Sequence, residues 1–454
     1  MAEIKAFNHF LSCKLFNKRE GAIRLFDYLK VELLASQPKI KKEEVFSQLF
    51  PNESFRDETM RDLMFQLTSP LYRFFAYQKL YENKEDELIA LCKAFRERNM
   101  QKLFKSTASK TVSTQQASKL RDSEYHQRNY LLQQEQYYAS TQKGRGDMTN
   151  LTDVTKSLDI SYFTNRLRQS CYMLSHQSVY NIDYDFTIVE EVIKEVNRKE
   201  LLHIPAISIY YYCFLAQRYP DQLEYYKSLR NNLVTHAKLF TVFEMKEIYL
   251  LAINIAIKAY NQGSIERIPD LLELYRSGVD QKILLNNNVL SRFTYQNMIA
   301  LALYTEKINW AKEIIDNYTV LLESAYRETT YQYSLAKYHY SKKEYSEALH
   351  LLYLLVSNDD VYININTKIL LSRIYYEQNE LNALDALIDS FKKTLSRKQK
   401  ILGYHHTSYK NFIQYLNKLV QLNPYDKPAR QRLLQEVENT QPIFDKFWFV
   451  KQLS

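Results

Sequence analysis

Apolar residues recur every three or four positions over long stretches of this 454-residue chain, and sustained alternation is rare. A period near 3.6 gathers apolar side chains on one helical face, whereas a half-buried strand needs a period of two, so the pattern predicts helices throughout. Between Glu247 and Tyr260 the apolar set includes Ile248, Leu251, Ile255, Ile257 and Ala259, and Asn261-Gln262-Gly263-Ser264 reads as a helix stop. A second helix is expected from Ile268 or Pro269, because the first helical turn has N–H groups without intrahelical partners and accepts proline there. Asp270 to Tyr275 carries the apolar face onward, and the unit so defined is a helical hairpin.

Glycine narrows the choices further. The six glycines, Gly21, Gly144, Gly146, Gly263, Gly278 and Gly403, form no phosphate-cradling cluster, which argues against Walker loops and dinucleotide fingerprints. Sandwiches, barrels and doubly wound sheets draw on glycine for tight turns and bulges, so their scarcity also favours helices joined by short polar turns.

The rhythm is clearest late in the chain. Leu335 to Leu349, with Ala336 and Ala348, resembles the tetratricopeptide repeat, in which a small residue on helix A packs against one on helix B. A second copy runs from Leu371-Ser372 through Tyr375-Tyr376 to Leu384, and a fainter one from Met298-Ile299 to Ala311. Registering Ala311, Ala348 and Leu384 gives spacings of 37 and 36, longer than the family's period of about 34, and Leu384 replaces the expected small residue. The resemblance covers Asn297 to Leu395 well, while Ile204 to Tyr275 shows the hairpin rhythm alone. It implies an inner groove lined by helix A positions, here Tyr333, Lys337 and Tyr340 beside Ile369, Arg373 and Tyr376. Both turns then offer a cation one turn before a tyrosine, an arrangement suited to an acidic peptide or a C-terminal carboxylate. The chain also resembles helical repeat proteins of Bacteroidota, with Phe16-Asn17-Lys18 and Leu49-Phe50-Pro51, a resemblance that implies no activity.

Upstream the organisation changes. Thr107 to Lys119 is rich in Ser, Thr, Gln and Lys and reads as a polar turn or linker, followed by a polar helix from Arg121 to Gln142. Arg145-Gly146-Asp147 spells an adhesion tripeptide but reads more simply as a polar loop using glycine for its turn. Lys42 to Glu53, followed by an amphipathic helix from Arg56 to Phe75, has a helix, proline turn, helix outline that looks like the helical part of a winged-helix domain. A DNA-reading helix should expose basic and amide side chains, whereas this one mixes Arg56, Arg61 and Arg73 with Asp57, Glu58 and Asp62.

The net charge of +9 matters through its placement. Between Phe391 and Arg432 ten cations, among them Lys392, Lys393, Arg397, Lys398, Lys400 and Lys410, face Asp426 alone. Tyr404, His405, His406, Tyr409, Phe412 and Tyr415 are interleaved with them, which suits phosphate, nucleic acid or an acidic partner, although a solvated face of lysine and arginine stems is the simpler account. The 38 tyrosines are expected mainly in helix packing. Cys13, Cys92, Cys171 and Cys213 lie too far apart for a metal knuckle or a dense disulfide framework and read as buried thiols. No apolar run reaches the roughly 18 residues of a membrane span, and the N-terminus lacks a secretory pattern, so a cytoplasmic protein is expected. No HExxH or GxSxG motif is present, and no local Ser, His and Asp arrangement forces a nucleophile.

The expected fold is therefore an all-α solenoid of stacked antiparallel hairpins. Residues 1–110 form an N-terminal helical, winged-helix-like unit and 111–150 a polar linker and connecting helix. Residues 151–454 form the repeat superhelix, clearest over 297–395 and closed by a helix holding Phe447, Trp448 and Phe449. The expected function is a non-catalytic scaffold, without cofactor or metal, that binds another protein or an acidic peptide in a concave groove. The alternative is a DNA-binding regulator with the repeats as sensor, which ranks nucleic acid second among partners.

Overall fold

The computed structural model describes residues 2–33, 40–142, 149–180, 182–261, 268–403, 405–423 and 425–454. Gly144, the Arg145-Gly146-Asp147 loop, the stop residues Gln262, Gly263 and Ser264, and Tyr404 lie outside the described residues, as does the side chain of Lys400. Among the described residues the fold is all-α, with twenty-two α-helices and one short strand pair. The chain forms two compact units, Met1–Phe214 with Thr235–Thr241, and Leu215–Val234 with Val242–Ser454.

The first unit opens with α1 (Ala2–Ser12), α2 (Glu20–Leu33), α3 (Lys42–Leu49) and α4 (Asp57–Tyr81). Phe7, Phe10, Leu11, Leu25, Phe46, Leu63 and Phe74 form their common core. The helix, proline turn, helix outline is present as α3, the turn through Pro51, and α4. Among the described residues up to Thr141 no strand occurs beside it. The chain instead continues as α5 (Lys84–Glu97), started by the Asn83 side chain accepting from the Glu85 N–H at 2.8 Å and by an acidic first turn.

Next come α6 (Gln101–Ala117), α7 (Ser123–Thr141), α8 (Leu151–Tyr180), α9 (Thr187–Arg198) and α10 (Pro205–Arg218). The polar stretch expected as a linker from Thr107 is helical to Ala117. Its hydroxyls do not compete with the helix, because Thr111 and Thr114 donate to the carbonyls of Thr107 and Lys110 one turn back. Phe104 and Ala108 supply the apolar face, packed with Ile89, Cys92 and Leu132. Two ion pairs tie α5 to α7: Arg96 Nε to Glu135 at 2.6 Å, and Arg128 Nε to Glu85 at 3.0 Å, all four side chains being largely buried. Cys92, Cys171 and Cys213 are buried and Cys13 half-buried, all four as free thiols.

His126, on α7, is 8% exposed, and its Nε2 has no partner among the described residues. Burial pulls its pKa to about 4, Asp122 raising it and Arg121 lowering it further. A folded pKa below the unfolded value near 6.5 contributes stability that is complete above that value and is lost as pH falls toward 4. The loss amounts to about 3 kcal/mol at one pKa unit per 1.36 kcal/mol. Urea unfolding at pH 7 and pH 4.5 should show His126→Leu losing less stability than the parent chain over that interval.

The second unit holds most of α11 (Leu223–His236), then α12 (Val242–Asn261) and α13 (Ile268–Asp280), the hairpin read from periodicity. The two-residue strands β1 (Leu285–Asn286) and β2 (Val289–Leu290) pair antiparallel ahead of α14. Three further hairpins follow: α14 (Arg292–Tyr304) with α15 (Ile308–Tyr318), α16 (Ser324–Ser341) with α17 (Tyr345–Leu355), and α18 (Val361–Glu377) with α19 (Leu381–Leu402). The last helices are α20 (His405–Gln421), α21 (Lys427–Asn439) and α22 (Lys446–Leu453).

One turn closes all three hairpins. Glu306, Lys343 and Asn379 are left-handed, with φ of 58°, 61° and 60°. The next N–H then bonds the carbonyl five residues back: Lys307 to Ala302 at 2.9 Å, Glu344 to His339 at 3.0 Å, and Glu380 to Tyr375 at 2.8 Å. This ties off helix carbonyls that otherwise lack donors and starts the second helix at a constant offset. Ala311, Ala348 and Leu384 occupy the same place beyond the turn, each fully buried, so their 37- and 36-residue spacing is the structural repeat. Asn99, φ 57°, closes α5 onto α6 in the same way, through Met100 N–H to the Phe95 carbonyl at 2.8 Å.

A left-handed residue with a Cβ costs about 1–2 kcal/mol, part of which glycine forfeits through unfolded-chain entropy. Lys343 is exposed, so Lys343→Gly should stabilise by about 0.5–1 kcal/mol, read as a higher thermal midpoint.

Candidate functional site

The first helices of the hairpins, α14, α16 and α18, lie side by side. The turn register aligns Ala300 with Lys337 and Arg373, and Leu303 with Tyr340 and Tyr376. All six residues expected in a groove therefore fall on one face of neighbouring helices. Tyr333 and Ile369 sit lowest, 7% and 3% exposed, and act as its floor.

That face already holds a helix, the chain's own α22. Arg373 Nη1 ion-pairs with Asp445 just before α22, while Nε and Nη2 donate to Tyr340 Oη at 3.2 and 2.9 Å. The Tyr340 hydroxyl in turn donates to Glu377 Oε1, which also accepts from the Trp448 indole N–H at 2.7 Å, and Glu377 Oε2 accepts from Tyr345 at 2.7 Å. The Arg373 guanidinium lies 4.5 Å from the centre of the Tyr340 ring. Tyr376 meets Trp448 edge to face at 5.5 Å, and Tyr304 of α14 meets Phe447 at 5.3 Å. The segment thus spans α14, α16 and α18. On its other side Phe449 and Leu453 enter the core of α20 and α21 with Phe412, Leu416 and Val437.

Electrostatics follows from this enclosure. Desolvation alone would lower Arg373, but Asp445, Tyr340 and Glu377 outweigh it and leave the guanidinium more firmly charged. Burial pushes the phenols of Tyr333, Tyr340 and Tyr376 up, and Tyr345 to about 12. Lys337 differs from Arg373. It is half-buried and keeps part of its surface in solvent. Desolvation and then Arg373 pull its pKa to about 8, Asp445 opposing them. Its ammonium stands 5.9 Å from the centre of the Tyr333 ring, and among the described residues no carboxylate comes within 4 Å of it.

Glu377, Asp445, Trp448 and Tyr345 belong to the site and were not among the expected residues. At the opposite ends of the same helices Arg292 of α14 pairs with Asp360, whose other oxygen accepts from the N–H groups of Tyr362 and Ile363 at the start of α18.

The basic segment is differently arranged from a nucleic-acid platform. Lys392, Lys393, Arg397 and Lys398 are exposed on α19, and Lys410 is exposed on α20, with Lys392 3.4 Å from Asp389. The interleaved rings point the other way: Tyr409, Phe412 and Tyr415 are 5%, 0% and 7% exposed and serve the core. The cations from Lys392 to Lys398 and these rings therefore stand on separate helices, α19 and α20. In the N-terminal helices Lys42 and Arg61 both pair with Asp57, and Arg56 with Glu53. Among the described residues no three His, Cys, Asp or Glu side chains gather as a metal site, and no helix is long and apolar enough to cross a membrane.

Fold and surface together define an all-helical, solenoid-like chain of neighbouring helix pairs, compatible with a helical-repeat protein. No protein-family model matches the sequence, and no curated protein or solved structure matches it.

Proposed function

We propose that this chain is a non-catalytic interaction scaffold, tetratricopeptide-like in its later hairpins, that binds a segment of another protein on the face formed by α14, α16 and α18. The observation that carries the reading is the seating of α22 there through a carboxylate on Arg373 and an indole on Glu377. A surface built to hold one short helix by charge-assisted and aromatic contacts has the features that recognise another. Lys337, a cation on this face with no carboxylate within 4 Å among the described residues, adds a preference for acidic partners.

Affinity capture from native extract, with and without nuclease, separates this reading from a DNA-binding regulator. Lys337→Glu leaves the Arg373 to Asp445 pair in place and reverses charge at the groove. The expected result is a protein partner that survives nuclease and falls at least tenfold with Lys337→Glu at unchanged circular dichroism. Recovery of nuclease-sensitive DNA, indifferent to residue 337, would replace the scaffold by the regulator.

A further inference from the structure

We infer that the segment from Asp445 to Leu453 is a displaceable occupant of the α14, α16 and α18 face, and that the partner is an amphipathic helix of the same chemistry: an acidic residue at its N-terminus with a tryptophan three residues on. The inference rests on the scaffold reading and deepens it. Three observations point to it. First, the groove atoms that the segment engages, the Arg373 guanidinium and the Glu377 carboxylate, both bonded to the Tyr340 hydroxyl, belong to helices already packed without it. They demand a carboxylate and an indole N–H from whatever lies there, at positions 445 and 448, one helical turn apart. Secondly, α22 is a helix of eight residues, well below the roughly 12 at which an isolated helix holds together, so its order depends on the surface it covers. Thirdly, Asp445 stands at φ 55°, in the left-handed region that costs a residue with a Cβ some stability, and its ion pair with Arg373 offsets that cost only while the segment is seated.

Competition decides occupancy. A segment joined to the groove by Thr440 to Phe444 acts at an effective concentration in the millimolar range, so a foreign helix of equal intrinsic affinity is held off. Lys337 supplies the difference, since the chain's own segment puts no carboxylate within 4 Å of it and a partner with a second acidic residue can. Partner binding then releases Trp448 from Glu377 and Phe449 from the core of α20 and α21.

The test uses a fluorescein-labelled peptide with the sequence of residues 440–454, titrated into the full chain by fluorescence anisotropy. The parent chain is compared with an Asp445→Ala, Trp448→Ala double variant that vacates the groove, and with that variant carrying Arg373→Met. At least tenfold tighter binding to the double variant, lost with Arg373→Met, is expected. Equal binding to the parent and to a folded double variant overturns the inference. Should the double variant not fold, hydrogen exchange on the parent chain decides. Amides of α22 exchanging at least tenfold faster than those of α20 support a displaceable occupant, and equal protection makes α22 a permanent cap. A partner that depends on Lys337 but is not competed by the peptide would leave the scaffold standing and remove this inference alone.

Discussion

Trp448→Ala lowers the stability of the second unit by about 3–5 kcal/mol, the range for truncating a buried tryptophan. The indole is 4% exposed and is ringed by Phe449 at 5.0 Å, Tyr376 at 5.5 Å and Phe412 at 6.4 Å, so alanine leaves a cavity that no single neighbour fills. Its N–H is one of the three donors on Glu377, the other two being Tyr340 and Tyr345. Trp448→Phe separates the two contributions. Phenylalanine keeps most of the packing and removes only the donor, and Glu377 retains both tyrosines, so the loss should be about 1–2 kcal/mol. Guanidinium unfolding followed by circular dichroism reads both variants, and equal losses would assign the whole effect to the hydrogen bond on Glu377.

The pair between Arg128 and Glu85 carries the second large effect. Their side chains are 9% and 8% exposed, which places both charges away from water between α7 and α5. Removing one partner strands the other, at about 3–5 kcal/mol, whereas replacing both with apolar side chains of similar volume is nearly neutral. The two single changes are not equivalent. Arg128→Met abandons Glu85 while also removing the cation near Asp86 and Glu124, 4.0 and 3.8 Å away at the surface. Glu85→Leu leaves Arg128 with those two carboxylates still in reach. Arg128→Met should therefore cost more than Glu85→Leu, and the Glu85→Leu, Arg128→Met double variant less than either. A double-mutant cycle by chemical unfolding of the first unit tests the order, and a double variant as weak as the sum of the singles would contradict it.

Local chemistry made part of this structure legible. The hairpin of α12 and α13, the helix start at Ile268 and the register of Ala311, Ala348 and Leu384 could be read because a helix imposes its period on neighbouring residues. The same register puts Lys337 and Arg373 on one face from the sequence alone. Three things escaped. Thr107 to Ala117 reads as a linker by composition, yet its hydroxyls bond back along the helix and its few apolar residues suffice to bury one side. The turn at Asn99 copies those at Glu306, Lys343 and Asn379, but with no glycine at any of the four positions the usual signal of a left-handed cap is missing. Asp445 and Trp448 lie more than 70 residues from the groove they occupy, with separations of 72 and 71 to Arg373 and Glu377. Periodicity has no reach over that span, and a closing helix with Phe447, Trp448 and Phe449 could be expected without its docking surface.

Placing an indole N–H on a carboxylate and its ring beside a guanidinium makes the molecule self-reporting. The chain has only two tryptophans, Trp310 and Trp448, so the tryptophan emission of a Trp310→Phe chain comes from the groove alone. The colour of that emission, and its quenching by iodide, then become a direct optical reading of whether the C-terminal helix is seated.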